Sequence, residues 1–218
     1  MLELFGHPFS SYTWKAQIAL YEKAIPFTFR IIDPDHPDHE RALRDHWPLA
    51  KFPVLADDGR PVIESSIIVE YLDRRFPDGP RLLPEDGDAA LGVRFMDRVF
   101  DNHVMGPMQA AVNEYLLAPA HPEPARVERA LGALDSIYAW LDRRLGEQGW
   151  ACGADFTMAD CAAAPSLFYA DWVRPIDAGL ARLAAYRARL LARPSVARCV
   201  EDARPFRAFF PPGAPDRD

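Results

Sequence analysis

The chain has 218 residues, of which 49% are hydrophobic and 26% are charged, a composition that is typical of globular proteins and excludes general disorder. Its 25 basic and 32 acidic residues give a formal net charge of −7, which disfavours a general nucleic-acid-binding protein because such proteins need a basic face. The three cysteines form no Cys-x-x-Cys pair, which excludes a disulfide framework and a zinc finger. Because there is neither a signal-peptide pattern nor a run of about 18 apolar residues, we expect a cytoplasmic protein without a membrane span.

Strand and helix patterns alternate over the first third of the chain. A turn signal, Asp57-Asp58-Gly59, separates two short β-rich runs and predicts a hairpin. The predicted order is β-α-β-α-β-β-α, with strands at residues 2–5, 27–32, 54–56 and 61–63 and helices at 11–23 and 40–46. Apolar residues between positions 67 and 72 mark one face of the third helix, which ends before Pro77. Because a hairpin follows two βα units, the sheet must combine parallel and antiparallel pairs.

Strand patterns end before the second part of the chain. Residues 77–84 contain three prolines and one glycine, which predicts a linker. Helical spacing of apolar residues then predicts helices at 89–117, 124–145 and 180–191, and two more that begin at Thr157 and Ser195. We expect Gly106-Pro107 to kink or split the first of these helices, and we expect the last dozen residues to form a trailing coil.

Hydroxyl side chains cluster between the first strand and the first helix. Ser10 and Ser11 could cap the helix, or they could hold an anion at its N-terminus, where free N–H groups favour negative charge. From these residues alone, capping is the favoured interpretation.

Two further signals flank the predicted hairpin. Pro53, at the start of a strand, could form a cis peptide bond that leaves the backbone of Phe52 free to pair with an extended ligand, although a strand-initiating proline is the simpler interpretation. Ser65 is predicted to be the N-cap of the third helix, and Glu64 before it would need a cationic partner. A free amino-acid end would supply an ammonium group for Glu64 and a carboxylate for the helix N-terminus.

In this order, the motifs resemble those of the glutathione transferase family over nearly the whole chain. Residues 6–13, Gly-His-Pro-x-Ser-x-x-Thr, are similar to the active-site stretch of the phi class. Residues 10–14 resemble the Ser-Ser-Cys-x-Trp stretch of the zeta class, with Tyr12 in place of the cysteine. The absence of a cysteine near Ser10 disfavours disulfide-exchange chemistry.

The remaining motifs extend the resemblance along the chain. Lys51-x-Pro53 resembles the cis-proline motif of the family, and Glu64-Ser65 resembles its γ-glutamyl-binding pair. Residues 150–160 resemble the capping motif of its helical domain. The chain departs from the family at Trp47-Pro48, where an Asn-Pro pair is usual.

The resemblance implies a fold of two domains. It implies an α/β thioredoxin-like N-terminal domain with a mixed four-stranded sheet at residues 1–78, which binds glutathione. A linker at residues 79–86 would lead to an all-α C-terminal domain at residues 87–218, which supplies a hydrophobic substrate pocket.

The resemblance also implies an enzyme, a glutathione transferase. Ser10, with Ser11 as the alternative, would donate a hydrogen bond to the glutathione thiolate, which attacks a small hydrophobic electrophile. The implied substrate-binding residues are Phe9, Lys51, Phe52, Pro53, Glu64 and Ser65. Glutathione would be the co-substrate and no metal is implied; we expect a cytoplasmic homodimer with a role in detoxification and with no nucleic-acid or membrane partner. A glutathione-dependent peroxidase or isomerase, or a non-catalytic glutathione-binding module, remains an alternative.

Other polar residues have simpler interpretations. Thr157 and Asp160 fit the N-cap and N3 positions of a capping box, so Asp160 is predicted to stabilise a helix rather than to catalyse. Asp101 could reach the glutathione amine of a neighbouring subunit, as an acid does in some classes of the family, although a solvated acid is the simpler interpretation. His36-x-x-His39, within an acidic segment, could bind a divalent ion, but Pro34 and Pro37 favour a solvated loop.

The electrophile pocket is expected between Phe9 and the helical domain. A stripe of aromatic and methionine residues is more often core than pocket. The candidate pocket residues are Val104, Met105, Met108, Tyr115, Phe168 and Trp172.

Overall fold

The first 75 residues fold in the predicted β-α-β-α-β-β-α order. The computed structural model describes residues 1–117 and 121–218. The strands are β1 (Leu2–Gly6), β2 (Thr28–Ile31), β3 (Val54–Asp57) and β4 (Arg60–Ile63). The helices of this part are α1 (Ser11–Glu22), α2 (Pro37–His46) and α3 (Ser65–Arg75).

The four strands form one mixed sheet in the order β2-β1-β3-β4. β1 is parallel to β2 and antiparallel to β3, and β3 is antiparallel to β4. Successive strand residues point to opposite faces. Leu4 and Leu55 lie in the core shared with α1 and α3, whereas Phe5 and Val54 pack with Leu43 of α2. The prediction of a mixed four-stranded sheet is confirmed.

The rest of the described chain is helical. Its elements are α4 (Gly87–Val99), a π-helical turn (Phe100–Met105), α5 (Gly106–Leu117), α6 (Pro124–Arg144), α7 (Met158–Val173), α8 (Ala181–Leu191), α9 (Pro194–Ala203) and a 3₁₀ helix (Arg204–Phe209). The expected break at Gly106-Pro107 takes the form of the π turn before it. Pro107 has no N–H and would clash with a carbonyl one turn earlier, and the wider turn accommodates it.

Within residues 1–117 and 121–218, no helix has both the length and the apolar composition that a membrane crossing requires.

The C-terminal segment differs from the expected trailing coil. It begins with the 3₁₀ helix Arg204–Phe209 and then folds back onto α7. Phe210 is buried, and the Arg217 guanidinium donates hydrogen bonds to the carboxylate and the main-chain carbonyl of Asp171. The sequence could not show this, because the partners are 46 residues apart.

The two parts of the fold share one hydrophobic core. Trp14 of α1 is fully buried, and its ring centroid lies 4.9 Å from that of Phe168 and 5.4 Å from that of Tyr169, both on α7. Large aromatic side chains contribute most of the apolar area that such a contact buries. Helix α7 therefore supports α1, whose N-terminus carries the predicted serines.

Asp160 fixes the N-terminus of α7, as the capping-box pattern predicts. Its fully buried carboxylate accepts hydrogen bonds from the N–H groups of Thr157 (2.8 Å) and Ala151 (2.8 Å) and from the hydroxyl of Tyr186 (2.6 Å). Burial raises the pKa of the Asp160 carboxyl, whereas these hydrogen bonds act in the opposite direction. The carboxylate connects the start of α7 to the preceding loop and to α8.

We expect Asp160→Ala to lower the free energy of unfolding by about 2–4 kcal/mol, because it removes a cap and leaves buried donors without a partner. Urea unfolding measures the difference. Tyr186→Phe, which deletes one of the four donors to this carboxylate, is the matched control and should cost about 1–2 kcal/mol. Equal midpoints for Asp160→Ala and the parent protein would contradict the structural role of this residue.

Candidate functional site

Ser10 lies at the N-terminus of α1 and is its N-cap residue. Its Oγ accepts a hydrogen bond from the Thr13 N–H at 3.3 Å, and its own N–H donates to the His7 carbonyl at 2.9 Å. A hydroxyl that accepts with a lone pair can still donate its hydrogen. Capping and anion binding, which the sequence left as alternatives, are therefore compatible in this one side chain.

Ser11, the alternative to Ser10, is the first residue of α1 and is buried, with 8% of its surface exposed.

The loop before Ser10 is held by both domains. The Trp14 indole N–H donates to the Pro8 carbonyl at 2.5 Å. The Tyr169 hydroxyl of α7 donates to the Phe9 carbonyl at 2.9 Å. These hydrogen bonds fix the backbone that directly precedes Ser10, so the Ser10 hydroxyl has a defined position.

A cavity of about 300 Å³ lies between the sheet and α4, close to the start of α1. Five of the eight predicted site residues line it, namely Lys51, Phe52, Pro53, Glu64 and Ser65. The other three, Phe9, Ser10 and Ser11, are not part of its lining. The sequence analysis did not assign the remaining lining residues to a site in this chain: Tyr12, Trp47, Ile63, Arg98, Asp101 and Asn102.

The segment before β3 presents free backbone groups to this cavity. The Phe52–Pro53 peptide bond is cis. In the part of the chain that the structure describes, neither backbone polar group of Phe52 forms a hydrogen bond. An extended ligand could therefore pair with this residue as it would with the edge of a sheet.

Glu64 is the N-cap residue of α3, so the expectation that Ser65 holds this position is wrong. Its φ of 73° lies in a region that non-glycine residues rarely adopt, and Ser65 follows as the first helical residue. Neither side chain caps the helix, which leaves the first N–H groups of α3 directed at the cavity.

The Glu64 carboxylate is exposed and, within the described residues, has no cationic partner at ion-pair distance. A free carboxylate thus stands beside a helix N-terminus, a pair that matches the ammonium and carboxylate of an amino-acid end.

Behind the cavity lies a buried ion cluster that the sequence did not reveal. Its centre is the Lys15 ammonium of α1, whose side chain is only 1% exposed. Nζ lies 2.5 Å from an oxygen of Asp97 and 2.8 Å from one of Asp101, and it donates to the Ser66 hydroxyl at 2.7 Å. The cluster joins α1 and α3 of the first domain to α4 and the π turn of the second.

Arg98 joins this cluster from the cavity side. Its Nη2 lies 2.6 Å from Asp97 and 2.6 Å from Asp101, and it also contacts the Ser66 hydroxyl. The Asp101 carboxylate is therefore bound by cations of its own chain, whereas the sequence had suggested contact with a neighbouring subunit.

Burial raises the pKa of the Asp101 carboxyl, although the charges of Lys15 and Arg98 lower it. Burial also raises the pKa of the Tyr12 phenol, and the charge of Asp101 adds to this shift. The Tyr12 hydroxyl therefore keeps its proton at neutral pH and can act as a hydrogen-bond donor in the cavity.

The candidates for the electrophile pocket lie mostly in the core. Val104, Met105, Met108 and Phe168 are at most 5% exposed, Trp172 is 8% exposed and Tyr115 is half-buried. Phe9 packs against this core, with its ring centroid 5.3 Å from that of Tyr169 and 6.5 Å from that of Phe210. The C-terminal segment thus lies against the aromatic surface where the electrophile was expected.

The two histidines of the acidic segment stack on each other, with ring centroids 4.9 Å apart. Nδ1 of His36 lies 2.6 Å from the Asp33 carboxylate, and Nδ1 of His39 lies 2.8 Å from the Ile31 carbonyl. Among the residues with described positions, no group of three or more His, Cys, Asp or Glu side chains could hold a metal ion.

Comparison with known proteins identifies the family. The sequence-family model for the glutathione S-transferase N-terminal domain matches residues 4–81, and the family model for the C-terminal domain matches residues 124–189. The chain therefore belongs to the glutathione S-transferase family, and its fold is a thioredoxin-like domain followed by an all-α domain, as expected.

Two solved structures and one curated relative illustrate the similarity. A glutathione S-transferase of Methylobacterium radiotolerans, in complex with glutathione sulfonate, is 31% identical, with a TM-score of 0.76 over 91% of this chain and 94% of that one. A glutathione S-transferase of Methylobacillus flagellatus with bound glutathione is 28% identical, with a TM-score of 0.79 over 91% of this chain and 98% of that one. A stringent starvation protein A homolog of Coxiella burnetii is 30% identical over 77% of this chain and 75% of its own length.

We expect Lys15→Met to lower the free energy of unfolding by about 3–5 kcal/mol, because it removes the buried cation and leaves the carboxylates of Asp97 and Asp101 paired with the half-exposed Arg98 guanidinium. A carboxyl whose pKa is raised in the folded state contributes stability at low pH that is lost as the pH rises through that pKa. Since Lys15 lowers the pKa of Asp101, its removal should raise that pKa further, and the loss of stability with rising pH should be larger than in the parent protein.

Urea unfolding at several pH values tests this expectation. Arg30→Met, which breaks the half-exposed pair of Arg30 with Glu3, is the control and should cost about 0–1 kcal/mol. A Lys15→Met variant as stable as this control at pH 7 would show that the buried cluster does not hold the domains together.

Proposed function

We propose that this protein is a glutathione transferase that binds reduced glutathione in the cavity between the sheet and α4. The observation that carries the proposal is the convergence of five predicted contacts, separated by up to 14 positions in the chain, on one cavity beside the N-terminus of α1. Membership of the glutathione S-transferase family supports the same ligand.

Glutathione is an extended tripeptide with one ammonium group, two carboxylates and a thiol, and the cavity offers a partner for each end. Glu64 and the N-terminus of α3 would bind the amino-acid end of its γ-glutamyl residue. The backbone of Phe52 would pair with the central cysteine, and Lys51 would face the second carboxylate. This orientation directs the thiol towards the start of α1.

Activation of the thiol requires a modest free energy. Lowering a thiol pKa from about 8.5 by about 2 units corresponds to about 2.7 kcal/mol. A hydrogen bond to a charged group contributes about 1.5–3 kcal/mol, and a helix N-terminus adds about 0.3–1 kcal/mol. The Ser10 hydroxyl together with the end of α1 is therefore sufficient to hold a thiolate, and the serine donates a hydrogen bond without losing its own proton.

We expect Ser10→Ala to raise the pKa of bound glutathione by about 1–2 units and to reduce turnover roughly 10- to 100-fold, because the hydrogen bond to the thiolate is lost. The ultraviolet absorbance of the thiolate, followed against pH, measures the shift. Ser10→Gly should behave in the same way, since glycine is a tolerated N-cap, and this variant separates the loss of the donor from the loss of the cap.

Two neighbouring variants complete the test of the donor. Ser11→Ala should leave the titration unchanged, because this side chain is buried within the helix turn. Tyr12→Phe removes the hydroxyl in the first turn of α1 whose residue lines the cavity. A shift seen with Tyr12→Phe and not with either Ser10 variant would assign the thiolate contact to Tyr12 and contradict the role of Ser10.

We expect Glu64→Gln to weaken glutathione binding by roughly 10-fold or more, because the ligand ammonium loses a charged partner. Isothermal titration with reduced glutathione gives the dissociation constant. Glu70→Gln is the matched control, since Glu70 lies on the same helix, pairs with Arg94 and does not line the cavity. If the parent protein shows no binding up to millimolar glutathione, the proposed function is wrong.

A non-catalytic glutathione-binding module is the second candidate, and the observation behind it is that one relative is named a stringent starvation protein A homolog rather than a transferase. Such a module would bind glutathione but would show no turnover with a panel of electrophiles, peroxides and isomerisable substrates. The same panel separates conjugation from peroxidase and isomerase activity, which share the thiolate and differ in the second substrate.

A further inference from the structure

Arg98 occupies an unusual position at the edge of the cavity. It belongs to α4 of the helical domain, yet its guanidinium reaches the first turn of α3 in the other domain, where it contacts the Ser66 hydroxyl. Ser66 directly follows Ser65 and Glu64, which line the cavity. The guanidinium therefore lies beside the helix N-terminus at which a ligand carboxylate is expected.

One side of the Arg98 guanidinium is held and the other is open. Nε and Nη2 donate to Asp97 at 3.0 and 2.6 Å, and Nη2 also donates to Asp101 at 2.6 Å. Within residues 1–117 and 121–218, Nη1 has no hydrogen-bond partner, and the side chain is 49% exposed. Two N–H donors are thus available on a group whose orientation is already fixed.

The charges around the start of α3 show what this arginine would add to an anion-binding site. Lys15 and Arg98 together balance the two carboxylates of Asp97 and Asp101, so the cluster carries no net charge. Without the guanidinium, a ligand carboxylate at α3 would face Glu64 and Asp101 with no adjacent cation from α4. Charge-assisted hydrogen bonds from arginine to carboxylate are among the strong ones in proteins.

We propose that Arg98 binds the α-carboxylate of the γ-glutamyl residue through Nη1, together with the N–H groups at the start of α3, and so makes a free carboxylate at this end a requirement of the site. This inference rests on the proposed function. Glu64 binds the ammonium group and Arg98 binds the carboxylate, so the two side chains bind the two charged groups attached to the α-carbon of the γ-glutamyl residue. Asp97 and Ser66 are positioning residues, because they orient Arg98 without contacting the ligand.

The requirement predicts discrimination between two tripeptides. The analogue 4-aminobutyryl-cysteinylglycine keeps the ammonium, the thiol and the terminal carboxylate of glutathione and lacks only the carboxylate in question. The parent protein should bind it roughly 10- to 100-fold more weakly than glutathione. Arg98→Gln should weaken glutathione binding by a similar factor and leave binding of the analogue almost unchanged, so that the discrimination is largely lost.

Isothermal titration of both tripeptides against four proteins tests the inference: the parent, Arg98→Gln, Arg98→Lys and Arg94→Gln. Arg94 is the matched control, one helical turn earlier on α4 and paired with Glu70 of α3 outside the cavity, and its variant should retain full discrimination. Arg98→Lys keeps the positive charge and should retain part of the discrimination between the two tripeptides.

The outcomes separate the possible failures. If Arg98→Gln weakens the binding of both tripeptides equally, Arg98 has a structural role and the inference is overturned. Unchanged binding of glutathione by this variant would overturn it as well. Absence of glutathione binding by the parent protein would instead refute the proposed function. Thermal melting of each variant confirms that it is folded before titration.

Discussion

An ammonium group removed from water needs anionic partners, since its desolvation costs several kcal/mol in protein interiors. Lys15 is 1% exposed and pairs across the domain boundary with Asp97 and Asp101. The position of α4 against α1 is therefore set by charge as well as by apolar contact. Because the same carboxylates hold Arg98 at the cavity, the force that joins the domains also shapes the candidate binding site.

The use of lysine and arginine in this chain follows their chemistry. Only three of the 25 basic residues are lysines, and two of them, Lys15 and Lys23, are buried against carboxylates. A compact ammonium suits a small enclosed site, whereas the wider guanidinium can bind carboxylates on one edge and leave donors free on the other. Lys51, the third lysine, lies exposed at the cavity. The rarity of lysine in the sequence was thus informative, although its partners could not be read from it.

The sequence predicted those structural features that depend on residues close together in the chain. The alternation of strand and helix, the hairpin, the break near Gly106 and the capping box of Asp160 all arise from residues a few positions apart, and the structure contains each of them. It did not predict the Lys15 cluster or the contact of Arg217 with Asp171, because their partners lie 46 or more positions apart and their charges look like ordinary surface groups. The same limit explains why Arg98 was missing from the predicted site, whereas Tyr12 adjoins Ser11 and its neighbours in the sequence could have pointed to it.

The long separation between Lys15 and its partners also matters during synthesis of the chain. Domains generally fold as units, and the N-terminal one emerges from the ribosome first. Lys23 finds Asp73 within that first unit, but Lys15 and Trp14 stay uncovered until α4 and α7 have been made. At about 5–20 residues per second, that interval lasts roughly 5–20 s. Throughout it, the nascent first domain displays a tryptophan and an ammonium without its carboxylate partners on one helix, a surface prone to non-specific association until the second domain has been made.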